Sequence, residues 1–163
     1  MKSKLMKRKR IFWLVTILGI IFDQLTKYLV VREFEAINDT VPLIEGIFHL
    51  TYAINTGAAF SVFSGQVEVL RWVSLIVSLL LIAFVWYVPR LSLLEQLGYG
   101  FILAGAVGNG IDRFLFGYVV DFLDFRLINF PIFNIADIAI NIGVLLLLIT
   151  SFTTPNNNKS VGN

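Results

Sequence analysis

The chain repeatedly runs apolar for long enough to cross a lipid bilayer. Ile11–Val31 does so first, and comparable stretches cover about 67–88, 93–111 and 135–152. About 20 apolar residues span the hydrocarbon core as a helix, and only helices and closed barrels satisfy their backbone polar groups there. These runs predict a membrane all-α protein: a four-transmembrane-helix bundle forming a single integral membrane domain over residues 1–163. A content of 57% hydrophobic and 15% charged residues excludes an ordinary soluble domain. No internal repeat or second domain is visible.

Charge placement orients the bundle. Lys2, Lys4, Lys7, Arg8, Lys9 and Arg10 precede the first run. Such a cluster suits a nucleic-acid arm or a cytoplasmic membrane flank, and the apolar span that follows at once selects the flank. No small-residue cleavage site follows Phe22, so the run is expected to be retained. Four spans return the C-terminus to the cytoplasm. Segments 32–66 and 112–134 then lie outside, with Glu33, Glu35, Asp39 and Glu45 in the first. The polar tail 153–163 reads as disordered.

The first outer segment is too long for a simple connector. Phe48, Leu50, Tyr52 and Ile54 alternate with Ile47, His49, Thr51 and Ala53, the period of a strand with unlike faces. A small extracytoplasmic β-sheet built from this loop is expected on the membrane surface. Asn55-Thr56-Gly57-Ala58-Ala59-Phe60 follows with turn residues and small side chains.

Composition narrows the chemistry. The absence of cysteine excludes disulfides, Cys-ligated zinc and a thiol nucleophile. A single histidine, His49, excludes a His-rich metal site, and no Ser or Asp motif accompanies it for a triad. No metal and no cofactor is expected. Four of the acids fall between Gly105 and the start of the last span: Asp112, Asp121, Asp124 and Asp137. Carboxylates at a membrane boundary are costly and commonly functional.

Asp121 and Asp137 are read as a catalytic pair. Asp121 interrupts the apolar run Val119-Val120 and Phe122-Leu123, so desolvation should raise its pKa. A surface-loop acid is the alternative. Asp137 opens the last span, where an acid that caps the helix would also stand. Two neighbouring carboxylates share one proton, so one can activate water while the other protonates a carbonyl oxygen. Asn109 and Asn134 are placed to hydrogen-bond the carboxylates or a substrate. Arg113 suits a substrate carbonyl, a lipid phosphate or an ion pair with Asp112. Asp23 and Lys27 share a helical face. They make either a helix-end pair, with Lys27 reaching to the interface, or a support for the site. Gly105 and Gly108 permit close helix packing.

Five blocks then appear in order: Asp23-Gln24-Leu25-Thr26-Lys27, Asn55 to Phe60, Gly108-Asn109-Gly110-Ile111-Asp112-Arg113, Val119-Val120-Asp121-Phe122 and Phe133-Asn134-Ile135-Ala136-Asp137. Together they closely resemble the lipoprotein signal peptidase (signal peptidase II) family. The resemblance implies a bacterial intramembrane aspartic endopeptidase without a cofactor. It would remove signal peptides from diacylglyceryl-modified prolipoproteins, cutting just before the lipidated cysteine. It implies catalysis by Asp121 and Asp137, and supporting roles for Asp23, Lys27, Asn55, Gly105, Asn109, Arg113 and Asn134. The expected setting is the bacterial cytoplasmic membrane, with both termini cytoplasmic and the active site at the outer face. The expected partners are the lipid-modified prolipoprotein and membrane lipids, with no nucleic acid, and the enzyme is expected as a monomer. Gly110 stands where the family often has a bulkier residue, and Ile138 where a small polar one often follows the aspartate. A presenilin-like protease fails on motif spacing, since Ile111 separates Gly108-Asn109-Gly110 from Asp112. A proton-relay transporter fits poorly with charges gathered near one surface, and a scaffold leaves the clustered Asp and Asn unexplained.

Overall fold

The computed structural model describes residues 9–57, 63 and 65–153. In chain order these form α1 (Arg10–Glu33), β1 (Thr40–Ile44), β2 (Phe48–Asn55), α2 (Val67–Tyr87), α3 (Leu93–Leu115), β3 (Val119–Phe125), a single 3-10 turn (Arg126–Ile128) and α4 (Ile135–Thr153). Most of the N-terminal basic cluster, Ala58-Ala59-Phe60 and the tail beyond Thr153 lie outside the described residues.

Three helices, α1, α2 and α4, are long and apolar enough to cross a membrane. Their outward faces expose Leu14, Leu18, Phe22, Ile76, Leu80 and Leu148, as lipid-facing helices do. The helix α3 packs against all of them. Its start is secured by a capping box: Ser92 Oγ accepts from the Glu95 N–H, and Glu95 Oε2 accepts from the Ser92 N–H. The apolar run expected over 93–111 extends as helix to Leu115, because Asp112 and Arg113 find buried partners and need not turn out to water.

Close packing explains the small residues of α3. A Cβ on Gly105 would collide with the backbone carbonyl of Ala136 in α4, and one on Gly108 would sit 2.5 Å from Asp23 Oδ2. At the other end, Phe12, Val85 and Leu103 form an apolar cluster, and Lys9 Nζ donates to the carbonyls of Val85 and Trp86 at the end of α2.

The expected strand through Phe48 to Ile54 is β2. It pairs with β1 through a turn in which Gly46 has φ +71°, a conformation that suits glycine. The sheet is more than a product of the first outer loop, however. Its order is β1-β2-β3, all antiparallel, and β3 comes from the segment after α3. Tyr52, Val120, Phe122 and Val30 bury together beneath it, which seats the sheet on the end of α1. The opposite face carries Thr40, His49, Thr51, Asp124 and Arg126 in one hydrogen-bonded cluster.

Candidate active site

The register of the sheet delivers the first acid. Ala53 pairs with Asp121 and Asn55 with Val119, so Asn55 and Asp121 are diagonal neighbours. Asn55 Nδ2 donates to Asp121 Oδ2 at 2.8 Å, while Asn55 Oδ1 accepts from the Gly57 N–H at 2.8 Å. Asp121 is therefore a strand residue, 3% exposed, and not a surface-loop acid. Burial pushes its carboxyl up to about 7, with the nearby Asp137 adding to the effect and the Asn55 and Asn134 amides opposing it.

The start of α4 delivers the second acid. Asn134 Oδ1 accepts from the Asp137 N–H at 3.0 Å, and Asp137 Oδ2 accepts from the Asn134 N–H at 3.2 Å. This reciprocal pair caps α4, so the capping role open for Asp137 is real. It leaves Asp137 Oδ1 to accept from Asn109 Nδ2 at 2.9 Å.

Asn134 joins the two acids. Its side chain is fully buried, and Nδ2 donates to Asp121 Oδ1 at 2.7 Å. The same Nδ2 lies 3.0 Å from Asn109 Oδ1 and 3.3 Å from the Val120 carbonyl. One side chain thus touches a strand acid, a helix-start acid and α3. Such a network orients carboxylates while leaving them chemically available.

Lys27 stands behind the asparagines. Its Nζ donates to Asn109 Oδ1 at 2.9 Å and pairs with Asp23 Oδ2 at 2.9 Å and Asp112 Oδ2 at 3.0 Å. Lys27 is buried, so it does not reach out to the interface. Asp23 Oδ1 accepts from the Ala136 N–H at 2.9 Å and so ties α1 to the start of α4. Arg113 is not an ion-pair partner of Asp112. Its guanidinium donates to the Gly57 carbonyl at 3.0 Å and approaches the Asn109 carbonyl at 3.5 Å and Ser74 Oγ at 3.4 Å.

The residues singled out in the sequence thus meet: Asp121, Asp137, Asn55, Asn109, Asn134, Asp23 and Lys27 form one network, with Arg113 at its edge and Gly105 beneath it. Sequence reasoning offered Asp112 only as a partner for Arg113 and gave Gln24 no part. Asp112 Oδ2 accepts from the Val120 N–H at 3.1 Å, fixing the start of β3 next to Asp121. Gln24 Nε2 donates to Asp112 Oδ1 at 2.9 Å and to Asp23 Oδ2 and the Gly108 carbonyl, both at 3.2 Å. A polar amide beside Asp23 on an apolar helix was the available signal. Among the described residues no group of His, Asp and Glu is arranged to hold a metal.

Comparison with known proteins identifies the setting of this network. Residues 15–153 match the family model described as signal peptidase (SPase) II. The chain belongs to the signal peptidase II family. A lipoprotein signal peptidase of Gloeothece citriformis is 64% identical over 155 residues, covering 95% of this chain and 97% of that one. One from Microcystis aeruginosa is 65% identical over 146 residues, covering 90% and 94%. A solved bacterial membrane enzyme superposes with a TM-score of 0.82 at 35% identity, covering 92% of each chain. A second superposes at 0.77, also at 35% identity, covering 87% of this chain and 92% of that one. As a signal peptidase II the chain is a membrane protease, and its own fold carries the acid and asparagine network described above.

Proposed function

We propose that the chain is an aspartic endopeptidase that removes the signal peptide from diacylglyceryl-modified prolipoproteins, cutting N-terminal to the lipidated cysteine. The observation that carries this reading is Asn134, which holds Asp121 with its amide and Asp137 with its backbone. Burial favours the proton on Asp121. Asp121 then donates to the scissile carbonyl oxygen while Asp137 takes a proton from the attacking water. The tetrahedral intermediate collapses by returning a proton to the leaving amide nitrogen. No covalent intermediate, metal or cofactor takes part. Asn55, Asn109 and Asn134 hold the carboxylates, Lys27 and Asp23 hold Asn109 and α4, and Arg113 holds the loop at Gly57.

All four helices cross the bacterial cytoplasmic membrane in this reading, with both termini inside. The helix α3 is 23 residues long, enough to span, and its polar side chains are buried against its neighbours. The sheet then lies at the outer face, with membrane lipids around the bundle and a single copy sufficient for the site. The test uses purified protein in detergent with a diacylglyceryl-modified precursor and its unlipidated form. Release of the signal peptide from the lipidated form alone is expected. Equal cleavage of both, or of neither, overturns the substrate assignment.

A further inference from the structure

We propose that a groove between α2 and α3 receives an acyl chain of the substrate's own lipid anchor, and so aligns the scissile peptide with the two aspartates. The inference rests on the reading of the chain as a peptidase for lipid-modified precursors and says where that lipid goes.

The groove encloses about 320 Å³. Its floor is made of small residues, Ser74, Ser78, Ala106 and Gly110, and its walls include Leu75 and Ile111. The serines do not make the floor polar in its depth. Ser78 Oγ donates to the Ser74 carbonyl at 2.7 Å, so its hydroxyl is satisfied within α2. The outer rim is different. There Ser74 Oγ meets the Arg113 guanidinium at 3.4 Å. The groove therefore grades from a hydrogen-bonding rim at Ser74, backed by the buried Arg113, to an apolar interior, the profile of an ester-linked acyl chain.

Its position relative to the acids is set by α3. Asn109, which holds Asp137, and Gly110, which lines the groove, are consecutive and so point about 100° apart. Arg113 lies one turn on, about 40° from Asn109 and between those two directions. A cysteine whose amide lies at the aspartates can thus send its lipid past Arg113 and down the other face of the helix. From Phe114 to Ala106 the groove runs about 12 Å along α3. Bulky side chains at Gly110 would obstruct it, since even a Cβ there would lie 3.3 Å from Ser74 Cβ.

Lipid tails are as apolar as the groove, so moving a chain from bilayer to groove gains little free energy. The groove acts through alignment. Misplacement of a reacting group by about 1 Å can cost about 100-fold in rate, so the effect is expected in kcat/KM for long anchors.

The test compares two synthetic precursors, one with hexadecanoyl and one with butanoyl anchors, on the full-length protein in detergent. The parent is expected to cleave the long-anchor precursor about tenfold more efficiently. Ser78→Phe and Ala106→Leu, which fill the deep end, are expected to collapse that preference. Leu80→Phe, on the outward face of α2, is expected to keep it. A photoreactive group midway along the long anchor is expected to label Leu75 or Ile111, and Ser78→Phe to abolish the label. Equal efficiency for both anchors in the parent overturns the inference while leaving the peptidase reading intact. So does a preference that survives both fillings, or equal labelling by a photoreactive phospholipid, which marks an ordinary lipid position. Failure of the parent to cleave either precursor overturns the peptidase reading and this inference with it.

Discussion

Asn134 and Asp137 exchange two hydrogen bonds, side chain to backbone in each direction, at 3.0 and 3.2 Å. The motif that starts α4 is also the motif that aims Asp137. In the proposed mechanism capping and catalysis call on the same carboxylate, and substitutions must separate them.

Asp121→Asn and Asp137→Asn are expected to lower the cleavage rate by about 10²–10⁴-fold each, the usual contribution of general acid–base catalysis. In both positions each carboxylate oxygen accepts from an N–H donor. An amide would set one NH₂ against a donor, which costs stability, while neutralising one of two crowded acids restores some. The melting temperature should therefore move by only about 5 °C or less. Rate and melting temperature measured in one detergent decide the matter. Retained cleavage with a lowered melting temperature would reduce that residue to a structural acid.

Stability should fall as pH rises. The Asp121 carboxyl is held at about 7 in the folded protein against an ordinary 3.8. The folded chain keeps this proton where the unfolded chain loses it, so the contribution is fully favourable below about pH 4. It declines across the interval up to about 7 and is then flat. The parent should melt higher at pH 5 than at pH 8, and Asp121→Asn should flatten that difference. An unchanged slope in the variant would assign the pH dependence to other groups.

Asp124, three residues from Asp121, should prove dispensable for cleavage. Burial alone would raise its carboxyl, but the Thr51 hydroxyl at 2.7 Å and Arg126 at 2.8 Å outweigh that and hold it below the ordinary range. This stabilisation is present above its ordinary pKa and is lost as pH falls through the lowered one. Asp124→Asn is expected to keep cleavage within about threefold and to cost about 1 kcal/mol, since Arg126 is partly solvated. Chemical denaturation and the cleavage assay on one preparation test both halves. A rate loss as deep as that of Asp121→Asn would contradict the assignment.

Lys27→Ala should harm folding more than chemistry. It leaves Asp23 and Asp112 buried without their shared cation, a loss of about 3–5 kcal/mol for a broken buried pair. It also removes one of the two donors to Asn109 Oδ1 and leaves the Asn134 amide in place, so slow residual turnover is expected and not complete loss. Adding Asp112→Asn removes one unpaired charge and should recover part of the stability, a coupling that a double-mutant cycle reads directly. Complete loss of turnover in a well-folded Lys27→Ala would make Lys27 a participant in proton transfer.

Local chemistry made much of this legible. The apolar runs reported the helices to within a few residues, because hydrophobic length is a property of the chain itself. The alternation around Leu50 and Tyr52 reported β2 for the same reason. Asp121 stood out because a carboxylate among Val and Phe residues has to be explained wherever it lies.

Other features depended on partners far along the chain. That β3 completes the sheet follows from the pairing of Ala53 with Asp121, which no local pattern specifies. That Asp112 and Arg113 remain in α3 follows from burial against Lys27, Gln24 and Gly57. Gln24 entered the network only when α1 was packed on α3. The sequence by itself determined that this chain enters a membrane and carries costly acids between its apolar runs, because both follow from composition along a single segment. Only the tertiary structure decided which acids share an asparagine and which take an arginine. A hydrogen bond requires two groups within about 3 Å, and that proximity comes from packing.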